Sequence, residues 1–279
     1  MAQLSETNVL ALWQSSMKRF VREALGVENI STQQVKACDA LTELVLAKIR
    51  VNRHMATTPR EKTLAKKIGL SIMSGQGTGK DTFASWAILW FLVCFPIPKL
   101  PCTASSGKQL KSVLWSEIAK WLNASRIRDL ITWENERVYL TELKGQQAFA
   151  IARTYNVRQG AEEQTETLAG YHEDFMLYVV DEASAVPDPV FRPIEGSMTG
   201  ACNLALTIFN PTRSTGYAIE TQRRFRNDYV CLHWSSEDSE LVPKENLERD
   251  LARHGRESNF YRIRRLGLPP VSEKARSSR

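Results

Sequence analysis

Ser74-Gly75-Gln76-Gly77-Thr78-Gly79-Lys80-Asp81-Thr82 decides how this chain reads. A short apolar segment of strand length, Lys67-Ile68-Gly69-Leu70-Ser71-Ile72-Met73, runs into it. A long apolar segment of helix length, Thr82 to Phe95, runs out of it. Strand, glycine loop and helix in this order aim backbone N–H groups and a helix N-terminus at polyphosphate. Gly75, Gly77 and Gly79 let the backbone wrap anionic oxygens, Gln76 and Thr78 sit between them, and Lys80 brings a mobile charge to the β- and γ-phosphates. Two positions depart from G-x-x-x-x-G-K-[ST]. Ser74 stands at the first glycine, and Asp81, followed by Thr82, stands where a Mg²⁺-binding hydroxyl is the rule. A carboxylate is also a hard oxygen ligand, so both Asp81 and Thr82 are metal candidates.

Two more apolar runs end on polar residues. Leu177-Tyr178-Val179-Val180 leads into Asp181-Glu182, about a hundred residues after the loop. In P-loop hydrolases such a strand delivers its Asp beside the phosphates. Asp181 is then expected to hold Mg²⁺ mostly through water, and Glu182 to act as general base on the attacking water. Leu204-Ala205-Leu206-Thr207-Ile208-Phe209 leads into Asn210-Pro211-Thr212. Asn210 is placed to hydrogen-bond the γ-phosphate or the water. Sites of open α/β sheets lie at the carboxyl ends of strands, where all three segments end.

With 279 residues, 43% apolar and 24% charged, the chain has enough material for one large or two small domains. The net charge of +6 permits a polyanionic partner. Cys38, Cys94, Cys102, Cys202 and Cys231 are widely spaced, with no C-x-x-C pair, so neither zinc nor a disulfide framework is indicated. Met1 to Glu6 does not read as a signal peptide. Phe83 to Phe95 is apolar but is stopped by Pro96 and Pro98. A span needs about twenty residues, so this reads as a helix buried against a sheet.

Strands are expected at 67–73, 99–104, 147–153, 176–181, 203–209 and 229–234, alternating with helices such as 106–123. That alternation argues for an α/β fold, a mostly parallel P-loop sheet flanked by helices. Residues 1–60 read as an N-terminal helical segment belonging to the nucleotide-binding domain, with one helix ending near Gly26 and another from about Ser31 to Arg53. Thr57-Thr58-Pro59-Arg60 reads as a loop, and so does the polar stretch 154–170. The expected division is 61–235 for the P-loop core, 236–268 for a small C-terminal lid or linker with a charged helix from Lys244 to Arg256, and 269–279 for a disordered tail.

These motifs, with their surroundings, resemble the large subunit of tailed-bacteriophage terminases. The resemblance is carried by the glycine loop with its Trp-rich helix and by Cys102-Thr103-Ala104-Ser105-Ser106-Gly107-Lys108-Gln109-Leu110 with Val113-Leu114-Trp115-Ser116-Glu117-Ile118. It continues in Gly170-Tyr171-His172 before Val179-Val180-Asp181-Glu182-Ala183, in Phe209-Asn210-Pro211-Thr212, and in Tyr261-Arg262-Ile263-Arg264-Arg265-Leu266-Gly267. It covers about residues 20 to 268. The resemblance implies an ATPase, with ATP and Mg²⁺ as its ligands, that drives double-stranded viral DNA into a procapsid. The implied partners are that DNA, held without sequence preference, a portal protein and a small terminase subunit. It further implies a ring of copies, a pentamer, when docked at the portal vertex in the host cytoplasm, with a monomer in isolation left open, and no membrane. Residue by residue, it implies Lys80 on the phosphates, Asp81 or Thr82 with Asp181 on the metal, Glu182 as base, Asn210 as the coupling residue, and Gln34 (or Gln33) on the adenine edge.

Two departures stand out. Many terminases carry an arginine inside the phosphate loop where this chain has Gln76. An arginine supplied in trans is the natural expectation, with Arg153, Arg158 and Arg213 as candidates. The family's nuclease domain has no counterpart after residue 268, so no DNA cleavage is expected of this chain. Lys108, Lys111 and Lys120 are candidates to face DNA, although a solvated helix face explains them as well. Two alternatives stay open: another P-loop DNA-dependent ATPase of the helicase kind, and an assembly module that binds nucleotide without turning it over.

Overall fold

A computed structural model describes residues 6–143, 147–156, 160–196 and 198–272. Its strands are β1 (Gly69–Ser74), β2 (Lys99–Thr103), β3 (Ile131–Glu134), β4 (Arg137–Leu140), β5 (Phe149–Ala152), β6 (Phe175–Val180), β7 (Cys202–Phe209) and β8 (Tyr229–Trp234). They form one sheet in the order β3-β4-β5-β2-β6-β7-β1-β8. The pairs from β5 through β8 are parallel, and β3 and β4 extend the β5 edge as an antiparallel hairpin. Every residue of β6 and β7 is buried. Continuous apolar strands of this kind suit a parallel sheet covered on both faces.

The helices are α1 (Glu6–Ser15), α2 (Met17–Glu23), α3 (Thr32–Asn52), α4 (Pro59–Ala65), α5 (Lys80–Cys94), α6 (Ser116–Asn123) and α7 (Lys244–His254), with shorter turns between them. The apolar segment after the glycine loop is α5, and it is enclosed by protein on nearly every side. Trp86 packs edge-on against Trp121 of α6 at 5.3 Å between ring centroids, and the Trp90 indole N–H donates to the Trp13 carbonyl at 2.8 Å. None of the described helices is long and apolar enough to cross a membrane.

Several local expectations need correction. The hairpin β3–β4 was not foreseen; Asn135 makes its turn at φ 51°. The first helix divides at Ser16, whose extended backbone (φ −157°) starts α2 and whose hydroxyl accepts from the Arg19 amide. The stretch read as a loop at 57–60 begins α4. Thr58 caps it, Pro59 occupies its first position, and Glu61 returns to the Thr58 amide. That is a capping box on a proline start, which the loop reading overlooked. Within 154–170, residues Ala161–Thr165 are helical and Leu168 is fully buried, so this stretch is more than an exposed loop. The segment 106–123 is helical but contains a π-helical turn, Leu110–Trp115, just before α6. Val271, placed in the tail, exchanges two hydrogen bonds with the Asn259 side chain; residues 273–279 lie outside the described ones.

Candidate nucleotide site

β1 delivers the loop and α5 starts at Lys80. Gly79 caps α5 with φ 77°, a backbone shape that side chains resist. Ser74 has a job that glycine lacks. Its hydroxyl pairs with the Thr78 hydroxyl at 2.7 Å and closes the loop across its own base. The loop borders an open cleft of about 530 Å³.

Glu182, at the end of β6, faces the loop across the intervening β7. Lys80 Nζ donates to Asp81 Oδ1 and to Glu182 Oε1, both at 2.7 Å. Burial opposes the Lys80 charge, but Asp181, Asp81 and Glu182 outweigh it and hold the ammonium above the usual lysine range. Asp181 is fully buried, and burial pushes its carboxyl up to about 7 against the pull of Lys80. Its Oδ1 accepts from the Glu182 amide at 2.9 Å. Its Oδ2 is buried and has no partner among the described residues. A buried carboxylate oxygen in this condition is costly unless a cation or water completes it. Glu182 itself sits at φ 46°, a left-handed conformation that costs a non-glycine residue about 1 kcal/mol or more and that collects at active sites.

The donor set fits a hard divalent cation that draws its remaining ligands from phosphate and water. Asp181 offers an unfilled oxygen, and Asp81, like Asp181, acts on the Lys80 ammonium. Among the described residues no three His, Cys, Asp or Glu side chains gather as a self-sufficient metal site. Mg²⁺ bound through substrate phosphates needs no such cage. Thr82 is committed elsewhere, since its hydroxyl donates to Glu117 Oε2 at 3.0 Å. Glu117 also accepts from the Trp121 indole at 3.0 Å and borders the cleft with Ser112 and Ser116. These three residues were not anticipated. A π-helical turn at a cleft is a frequent mark of a functional site, but it is invisible in a sequence.

Asn210 is nearly buried and donates from Nδ2 to the Ser74 carbonyl at 2.6 Å, where the loop begins. The Ser184 hydroxyl, just past Glu182, donates to the Asn210 carbonyl at 2.6 Å. Asn210 therefore joins the ends of β1, β6 and β7 in one chain of bonds. Gln34 is not itself a lining residue of the cleft, but its amide bonds Gly79, which is. Its Oε1 accepts from the Ser31 amide at 3.2 Å, and its Nε2 donates to the Gly79 carbonyl at 3.0 Å. In this structure it latches α3 to the loop. Gln33 donates to the Ser235 carbonyl.

Neither Arg153 nor Arg213 lines this chain's own cleft, as a residue acting on a neighbouring copy need not. Arg153 donates to the Thr167 carbonyl and lies near the Tyr171 ring. Arg213 is exposed, and Arg158 lies outside the described residues. The loop position that lacks an arginine touches one instead, for Arg264 Nη1 reaches Gln76 Oε1 at 3.4 Å. Of the lysines considered for DNA, Lys111 pairs with Glu136 and Lys120 with Glu117, which favours the plainer surface reading for those two.

No family model matches the sequence. A curated relative, the "Probable terminase, large subunit" of Enterobacteria phage P7, is 31% identical over 218 residues, covering 73% of this chain and 42% of the relative. The chain thus spans less than half the length of that relative. The large terminase of the thermophilic bacteriophage D6E, solved with ADP, has a TM-score of 0.55 at 13% identity, over 80% of this chain and 52% of that one. The large terminase ATPase domain of Thermus phage P74-26 has a TM-score of 0.50 at 17% identity, over 78% of this chain and 96% of that one. Likeness at such low identity speaks for the fold alone; the phage P7 relative and the phosphate-loop geometry add the rest, and the chain belongs to the large terminase family of phages.

Proposed function

We propose that this chain binds ATP with Mg²⁺ and hydrolyses it, and that hydrolysis drives double-stranded DNA into a viral procapsid. The reading rests on one observation above all. Lys80, from the phosphate loop, is held between Asp81 and Glu182 directly beside the buried Asp181. Polyphosphate entering the cleft gives Lys80 a new anionic partner, and Glu182 is released to accept a proton from water. In this reading Glu182 acts as the base, which its left-handed conformation at the tip of β6 supports. Asp181 and Asp81, and Thr82 once freed from Glu117, are the residues that would hold Mg²⁺, which when bound neutralises phosphate charge. Asn210 then transmits a change at the loop base to β7 through its bond to Ser74.

The partners follow from the family: DNA gripped through its phosphates, a portal protein, a small terminase subunit, and further copies in a ring at the portal vertex in the host cytoplasm. Affinity for DNA would fall steeply with salt and ignore sequence. The test is Glu182→Gln. Turnover of Mg-ATP should drop by at least about a hundredfold while ATP binding persists. One observation favours a second reading, a module that binds nucleotide without turnover: Asp81 already occupies Lys80. A parent chain that binds ATP and never hydrolyses it, alone or with duplex DNA, would establish that reading instead.

A further inference from the structure

The cleft is short of positive charge. Lys80 is the one cation among the described residues lining it, against Asp81, Glu117 and Glu182. Asp181 stands buried directly behind. A polyphosphate entering this cleft meets more negative charge than positive, even with a divalent ion beside it.

Two further cations stand one contact from the lining: Lys120, which is paired with Glu117, and Arg264, in the π-helical turn Arg262–Leu266 that follows α7. Its guanidinium donates to Gln76 Oε1 at 3.4 Å, and Gln76 lines the cleft. The root of the side chain is fixed. The Gln76 amide donates to the Arg264 carbonyl at 2.7 Å, and the Ser236 hydroxyl reaches the Gln76 carbonyl at 2.7 Å and the Arg264 carbonyl at 3.2 Å. The neighbouring arginines are committed: Arg265 to Asp250, Arg256 to Glu237 and Arg262 to the Pro269 carbonyl. Arg264 has no carboxylate partner among the described residues and rests on the face of Phe260, 5.0 Å from its centroid. It is a cation anchored at its backbone, weakly held at its tip, and separated from the cleft by one neutral amide.

We propose that Arg264 is the second cation of this site, exchanging the Gln76 carbonyl for a phosphate oxygen of bound ATP. The inference rests on the reading of the cleft as an ATP site. The arginine comes in cis, from the segment that leaves the sheet. A guanidinium suits the task because its planar fork donates two hydrogen bonds to phosphate and never loses its charge.

The test measures steady-state Mg-ATP hydrolysis and the binding of fluorescent ATP and ADP analogues by the whole chain. Arg264→Ala should lower kcat by about 10- to 100-fold, the range for losing one charge-stabilising donor at a partly open site. Arg264→Lys should recover part of that loss, and millimolar guanidinium should partly rescue Arg264→Ala, which a purely structural role would not allow. Arg256→Ala loosens the same segment and should keep parental turnover. The inference is overturned if Arg264→Ala stays within about twofold of the parent, or if Arg256→Ala falls equally. A parent chain that neither binds nor hydrolyses ATP refutes the ATP reading itself, and this inference with it.

Discussion

Asn210→Asp replaces one atom and should make the stability of the protein depend on pH. Asn210 is 5% exposed, and its Nδ2 donates to the Ser74 carbonyl at 2.6 Å. A protonated Asp can still donate an O–H to that carbonyl; an ionised one cannot, and it places a buried charge against the carbonyl oxygen. The carboxyl is therefore held neutral, with its folded-state pKa above the unfolded value of about 3.9. Asp181, at the tip of the neighbouring strand, gives the scale, since burial pushes it up to about 7. A raised pKa means that the penalty is absent below about pH 4, grows by about 1.4 kcal/mol per pH unit, and saturates near pH 7 at about 4 kcal/mol. Between pH 5 and pH 8 the variant should lose about 2.5 kcal/mol relative to the parent, a further drop of about 5–10 °C in Tm for a chain of this size. Asn210→Ala, which only strands the Ser74 carbonyl, should cost about 1–3 kcal/mol at every pH. Thermal melts of the three proteins at pH 5, 6, 7 and 8 check this. If Asn210→Asp and Asn210→Ala run parallel across that range, the buried bond from Asn210 to Ser74 is wrong.

Three further outcomes are expected. Gly267→Ala should destabilise the protein by about 2–4 kcal/mol in urea unfolding and weaken nucleotide binding, because φ there is 65° and a Cβ would lie 2.6 Å from the Gly75 nitrogen. Hydrogen bonds from Arg265 hold the Asp250 carboxyl below the usual range against some desolvation, so that pair adds stability at neutral pH that is lost as the pH falls below about 4. Melts from pH 6 to pH 3 should therefore show a smaller acid-induced drop for Asp250→Asn than for the parent. Cys38, Cys94, Cys102 and Cys202 are buried and their thiols are pushed up by desolvation, whereas Cys231, pushed in the same direction, is only half-buried. A thiol reagent should thus titrate Cys231 first in the native protein, and a Cys231→Ser variant should lack that early phase.

The phosphate loop and the β6 tip were legible because each combines a long apolar run with a chemical signature at its end. The six strands from β1 to β8 that carry apolar runs were found within one or two residues. The hairpin β3–β4 was missed although Ile131-Thr132-Trp133-Glu134 alternates and Arg137-Val138-Tyr139-Leu140 is rich in strand-forming residues. Each is only four residues long, and the turn between them lacks glycine and proline. The start of α4 was written in Thr58-Pro59-Arg60-Glu61, where the loop reading passed over a cap followed by a proline suited to the first helical position. The contacts of Gln34, Glu117 and Arg264 are of another kind. Gln34 meets Gly79 from 45 residues away and Arg264 meets Gln76 from 188 away, and nothing local in a sequence encodes such meetings.

The hold of the chain on its own phosphate loop also divides that loop by exchange behaviour. The Gly75 amide is donated to the Trp234 carbonyl at 2.8 Å and the Gln76 amide to the Arg264 carbonyl at 2.7 Å, whereas the amides of Gly77, Thr78 and Gly79 meet no protein acceptor among the described residues. The first two hydrogens are therefore slow to exchange with solvent before any ligand arrives, and the next three are fast. An anion in the cleft can slow only the second group, so the boundary between Gln76 and Gly77 marks where the protein stops bonding to itself and starts bonding to its ligand.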